Sequence, residues 1–441
     1  MRTWVAWPTA ALAGAALGVG ATLTLLAPRG LGLALVGGVV CVTVFVLRPW
    51  LTLPTGIVGG PLVAMAVGVR DVQAIVTIHA AILAAGGLAV LLRRTFLPGA
   101  DRSRRTPADA PMLVLAVVVV ACAAYGLTRH APYDVMVGTY QLAVLPAYYF
   151  LATTTFTTSR ALRAAGIVYV VAATTFALAS LATPGQHGGL LSALAVPPLI
   201  VASCRTRGVR RLACLVAVAV LLADVVLAGY RSIWLALGIA LLVMVVRGAP
   251  SVRRCVALSL AAGVLVVGGG MAMSTGVQER SHIVEQKLTT SSGYRGAEAS
   301  TGLAVFAANP VLGEGLGQST PDVYLPPYRV TDVGPVYHAF WVTVLANTGL
   351  VGLMAVCWPL AVAIRIGLTD RAGLSLSFAA LAAGFVVAAS FAGPTDGHWE
   401  LGLLPALVLL TRAPATRPTP HPPLEVWYAH ARSGAPVRAS H

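Results

Sequence analysis

Lysine is nearly missing from this chain: Lys287 stands alone against 29 arginines. Charge of either sign is scarce as well, at 10% of 441 residues, where a soluble domain carries about 25%. A chain this poor in polar residues cannot cover a water-facing surface of its size, which excludes one soluble globule. With 57% of residues hydrophobic, intrinsic disorder is excluded too. The six cysteines lie in or beside apolar runs, with no metal-ligand spacing. Neither a disulfide framework nor a zinc site follows from them. No P-loop and no internal repeat is visible, and no stretch reads as a soluble catalytic domain, so an ATP-driven transporter would borrow its motor from another chain.

What the chain has instead is hydrophobic length. Mean hydropathy is +0.82, which places it among integral membrane proteins. Fourteen apolar runs read as helices: Trp4–Leu26, Gly30–Leu47, Leu51–Val67, Val72–Leu92, Met112–Leu127, Val135–Leu151, Gly166–Leu181, Gly189–Ala202, Leu212–Ala228, Ser232–Val246, Val256–Met273, Phe340–Ala363, Leu374–Phe391 and Leu401–Leu410. Pro197 and Pro198 interrupt the eighth and the last is short, so the expected fold is an all-α polytopic bundle of 12–14 transmembrane helices. Trp4–Leu26 follows a basic start but is longer than a signal core and reads as a retained helix.

The net charge of +15 would suggest nucleic acid in a soluble protein. With the N-terminus in the cytoplasm, however, 22 of the 30 basic residues fall in cytoplasmic pieces. The exceptions are Arg29, Arg70, Arg129, Arg231, Arg280, Lys287, Arg295 and Arg329. That bias follows the positive-inside rule and sets the expected topology, with both termini cytoplasmic. Charge therefore reports orientation, and no nucleic-acid partner is implied. Residues 412–441 hold six prolines and no apolar period, which reads as a disordered cytoplasmic tail.

One connection is far longer than the rest, 274–337, and this topology puts it outside. A loop of that length in a compact protein is usually functional. It contains an expected helix from Tyr294 to Asn309, stopped by Pro310. Its glycines at 313, 315 and 317 follow no strand, so they read as a structural turn and not as a nucleotide loop.

Three segments are arranged in a recognisable way. The first is Ala228-Gly-Tyr-Arg-Ser-Ile-Trp-Leu-Ala-Leu237, with an arginine at the outer mouth of a helix. The second is Gly293-Tyr-Arg295 followed by Asn309-Pro-Val-Leu-Gly-Glu-Gly-Leu-Gly317. The third is Val336-Tyr-His-Ala-Phe-Trp341 followed by Ala346-Asn-Thr-Gly-Leu-Val-Gly-Leu353. Together they resemble the O-antigen ligase and O-antigen polymerase superfamily. These are multi-span, metal-independent glycosyltransferases that use polyprenyl-pyrophosphate-linked glycans at the outer face of the cytoplasmic membrane. The resemblance covers 229–353 and divides the chain into N-terminal helices (1–228), this core, C-terminal helices (354–411) and the tail. Ala339 stands where the family often has asparagine, and Glu314 where an apolar residue is usual. Those departures leave the acceptor, and ligase against polymerase, open.

The resemblance selects Arg231 and Arg295 to hold the pyrophosphate, since a planar guanidinium gives bidentate contacts to phosphate oxygens as charge builds on the leaving group. It selects His338 as general base toward an acceptor hydroxyl on a glycan or glycolipid. Each has a plainer reading. Arg231 could be a snorkelling interfacial arginine, Arg295 could pair with Glu298 one helical turn on, and His338 could merely bond a loop carbonyl. Asp224, the one acid well inside an expected span, is either a supporting residue or a proton-coupling group. Tyr230 and Glu314 are further supporting candidates. No metal and no cofactor are expected. The rival reading is a carrier or flippase for a lipid-linked sugar.

Overall fold

A computed structural model describes residues 29–67, 72–96, 104–182, 189–273, 292–318, 323–325, 328–330, 337–392 and 398–412. The helices are α1 (Arg29–Leu47), α2 (Thr52–Val67), α3 (Val72–Phe96), α4 (Asp109–Leu127), α5 (Pro132–Thr155), α6 (Ser159–Ala182), α7 (Gly189–Arg205), α8 (Gly208–Ala228), α9 (Arg231–Arg247), α10 (Pro250–Met273), α11 (Ser292–Ala308), α12 (Phe340–Gly367), α13 (Leu374–Ala388) and α14 (Glu400–Thr411). Thirteen of the fourteen expected runs are thus helical; Trp4–Leu26 and the tail beyond Arg412 lie outside the described residues. The protein is an all-α polytopic membrane bundle. Seven described helices are long and apolar enough to cross a membrane, and four shorter apolar helices accompany them. A helix satisfies its backbone polar groups within one segment, as hydrocarbon requires.

One local reading changes. Pro197 and Pro198 do not interrupt the eighth run, because α7 continues through both and is buried along most of its length. Its dense burial, with α8 as its main neighbour, holds the backbone where proline removes ladder bonds. The long loop carries the expected helix as α11 and, beyond it, a two-stranded antiparallel ribbon, β1 (Val323–Leu325) on β2 (Tyr328–Val330). Its valines and tyrosines favour that extended form.

Small residues let the helices approach closely. Gly384 of α13 lies against the Ala236 carbonyl of α9, and Gly402 of α14 against the Leu145 carbonyl of α5. Valines and leucines such as Val120, Leu242 and Leu265 point outward instead, as a lipid-facing surface requires.

The two ends of the bundle differ. At one, arginines reach back to carbonyls at or beyond helix ends: Arg93 to Val46 (2.7 Å), Arg205 to Ala372 (2.9 Å), and Arg104 to Leu410 and Arg247 to Leu368 (3.3 Å each). Such contacts satisfy orphan carbonyls and the negative ends of helix dipoles. The opposite end holds α11, the glycine turn and the starts of α9 and α12.

Candidate functional site

The third motif segment shapes α12. Ala346-Asn-Thr-Gly349 runs helically to Gly349, which adopts φ 60° and ψ −158° and breaks the helix. Only glycine occupies that region without strain. The break exposes backbone groups that the second motif segment then satisfies. Glu314 and Gly315 donate their N–H groups to the Ala346 and Asn347 carbonyls (2.9 and 3.0 Å). In return, Leu350 and Val351 donate to the Pro310 and Val311 carbonyls (2.9 and 3.2 Å). The glycines at 313, 315 and 317 all have positive φ and sit against backbone of α12, α4 and α5 respectively. The glycine run is therefore a turn docked into a broken helix.

Glu314 fastens this turn. Its carboxylate accepts from Arg129 (3.1 Å) and from the Asn309 amide, while its carbonyl oxygen lies 3.0 Å from His130 Nε2. Arg129 also lies 4.4 Å from the Tyr125 ring centroid.

From the docked turn the chain runs back through α11 and forward to His338. Thr343 accepts the Tyr337 N–H through its hydroxyl (3.1 Å) and shapes the entry into α12. The Phe340 N–H reaches the carbonyls of Ala389 and Ala392 (2.9 and 3.2 Å), and Trp341 Nε1 donates to the Val386 carbonyl (2.9 Å). His338 itself is met by Glu298 of α11. One carboxylate oxygen accepts the His338 backbone N–H (3.0 Å) and the other lies 2.8 Å from its Nδ1. Glu298 is buried, whereas the His338 side chain is 44% exposed. The imidazole is thus gripped by a buried carboxylate and remains partly exposed to the surroundings.

A second histidine–carboxylate pair lies beside it. His398 Nδ1 is 2.5 Å from Glu400, its Nε2 is 3.3 Å from the Ala392 carbonyl, and its ring centroid is 4.9 Å from that of Phe340. Both ring nitrogens thus face oxygen atoms.

The other expected residues are placed as follows. Arg231 is the exposed first residue of α9, with exposed Tyr230 at its N-cap position. Both stand at the His338 end, tied to it through the α9–α13 packing. Arg295 lies in α11 one turn before Glu298; its side chain is outside the described residues, so an Arg295–Glu298 pair is neither seen nor replaced there. Asp224 is not on the helix that carries Arg231, because Gly229 (φ 72°) ends α8 between them. Its buried carboxylate accepts from Ser180 and Ser192 of neighbouring helices (2.7 and 2.6 Å).

Sequence reasoning missed three partners: Glu298 for His338, Arg129 for Glu314 and Glu400 for His398. Glu298 alone left a trace, its one-turn spacing from Arg295. Among the described residues no group of three or more histidines, cysteines and acids gathers to hold a metal.

Residues 216–357 match the family model described as O-antigen ligase. The match starts in α8 and ends in α12. It contains Asp224, Tyr230, Arg231, Arg295, Glu298, Glu314 and His338, and it supports placement of the chain in the O-antigen ligase superfamily. No curated protein matches the chain.

Proposed function

We propose that this protein is a membrane glycosyltransferase of cell-envelope polysaccharide synthesis. It transfers or polymerises a polyprenyl-pyrophosphate-linked glycan onto an acceptor hydroxyl at the outer face of the cytoplasmic membrane, with the arginine-lined end and both termini in the cytoplasm. The observation that carries this reading is His338, exposed at the end opposite the arginines and backed by a buried carboxylate, inside the O-antigen ligase match.

In this reading the acceptor hydroxyl loses its proton to His338 as its oxygen bonds to the anomeric carbon. The bond from that carbon to the pyrophosphate breaks, and its electron pair leaves on the phosphate oxygen. Arg231 and Arg295 stabilise that charge through bidentate contacts. One displacement inverts the anomeric carbon. The carrier alternative draws less support, since the buried acid it would use for proton coupling already takes two serine hydrogen bonds.

The test is a mass profile of lipid-linked glycans from cells lacking the protein, rescued by wild type, His338→Ala or Arg295→Ala. Single repeats accumulating on the lipid indicate a polymerase, and long chains stranded there indicate a ligase. Rescue by both variants, or an unchanged profile in the deletion, overturns the proposal.

A further inference from the structure

Glu298 is an unusual carboxylate for a membrane protein's outer loop. It is fully buried, and a buried charge is costly unless its oxygens are hydrogen-bonded. Among the described residues both oxygens meet one residue, 40 positions away in the chain: one the His338 backbone N–H, the other its Nδ1. α11 is brought there by close packing, since Gly302, one turn beyond Glu298, lies against the Tyr337 ring and Val342.

Those two contacts decide more than the ring's position. A carboxylate only accepts, so a neutral imidazole facing it must carry its proton on Nδ1. The other nitrogen then holds the lone pair. We infer that Glu298 is a positioning residue for glycosyl transfer: it holds the proton on Nδ1 of His338 and so makes Nε2 the atom that takes the proton of the acceptor hydroxyl. The inference rests on His338 being the base proposed above. In the step itself Glu298 exchanges no proton; Nε2 gains the hydroxyl proton, and the buried carboxylate stabilises the imidazolium that results.

Glu298→Gln separates this role from a packing role. Glutamine keeps the shape but has one acceptor and one donor group. The His338 backbone N–H can only donate, so it takes the glutamine oxygen, and the glutamine NH₂ turns to Nδ1. That contact needs the lone pair on Nδ1 and moves the proton to Nε2, the wrong tautomer for a base. Measured as transfer of a lipid-linked glycan by the full-length protein in membranes, the variant is expected to lose on the order of 100-fold or more in kcat, with KM changed less than about threefold because no substrate contact is removed. Histidine ¹⁵N NMR, with His338 assigned by its loss in His338→Gln, should report Nδ1–H in wild type and Nε2–H in Glu298→Gln.

Wild-type turnover in Glu298→Gln, or a loss confined to KM, overturns the inference, and so does a wild-type His338 protonated at Nε2. Should the variant fail to accumulate, the wild-type tautomer decides alone. A fully active His338→Ala would instead remove the base on which the inference rests. An inactive His338→Ala beside a fully active Glu298→Gln would remove only the positioning role.

Discussion

Gly302 of α11 rests against Tyr337, so closely that a Cβ added to the glycine would stand 2.9 Å from the ring's Cε1 and closer still to Val342. This approach sets the distance between Glu298 and His338. Gly302→Ala should force α11 off α12, at an overpacking cost of about 1–3 kcal/mol, and lower glycan transfer at least tenfold. Gly296→Ala, on the same helix, where an added Cβ would meet nothing within 4 Å among the described residues, should leave transfer unchanged. Equal activity of the two variants in a membrane transfer assay would contradict this account.

Gly349 is expected to tolerate no side chain. Its φ of 60° with ψ −158° is a glycine region, and the Val311 carbonyl occupies the space a Cβ would need. Gly349→Ala should cost at least about 1–3 kcal/mol, seen as a lower thermal midpoint of the detergent-purified protein. A midpoint within a degree of wild type would mean that the turn does not dock into the helix break.

Glu314 is expected to matter for the turn and little for chemistry. Arg129→Ala removes a pair whose arginine is 44% exposed, worth about 0–1 kcal/mol, so its thermal midpoint should barely move. Glu314→Ala should lower the midpoint more, because it also strips the Asn309 amide of its acceptor. Both proteins that remain folded should transfer glycan near the wild-type rate. A folded Glu314→Ala without activity would make Glu314 part of the reacting site.

Asp224 divides enzyme from carrier. Asp224→Asn leaves an amide oxygen to accept from one serine, so activity should persist with a stability loss of about 1–3 kcal/mol. Asp224→Ala, which removes the carboxylate acceptor from both Ser180 and Ser192, should lose more. If Asp224→Asn instead abolishes activity while the folded protein accumulates normally, proton coupling through Asp224 becomes the better reading.

Much of this architecture was legible in the sequence, for a physical reason. A helix in hydrocarbon must be apolar along its whole length, so each span leaves a local signal that needs no neighbour to interpret. The run Gly189–Ala202 looks interrupted in the sequence because proline breaks an isolated helix, whereas the surrounding helices hold α7 together. The arginine bias is equally local, and the structure collects Arg93, Arg104, Arg205 and Arg247 at one end.

By itself the sequence determined the all-α membrane class, the helix positions, the long loop between α10 and α12 and the three segments that resemble the O-antigen ligases. Tertiary structure alone decided how those segments meet. The Asn309–Gly317 turn lends its N–H groups and carbonyls to the break at Gly349, and the buried carboxylate of Glu298 crosses 40 residues to hold His338. Hydrogen bonds of that kind follow no period along the chain. They exist only once packing has brought two distant backbones together and excluded the water that would otherwise satisfy them.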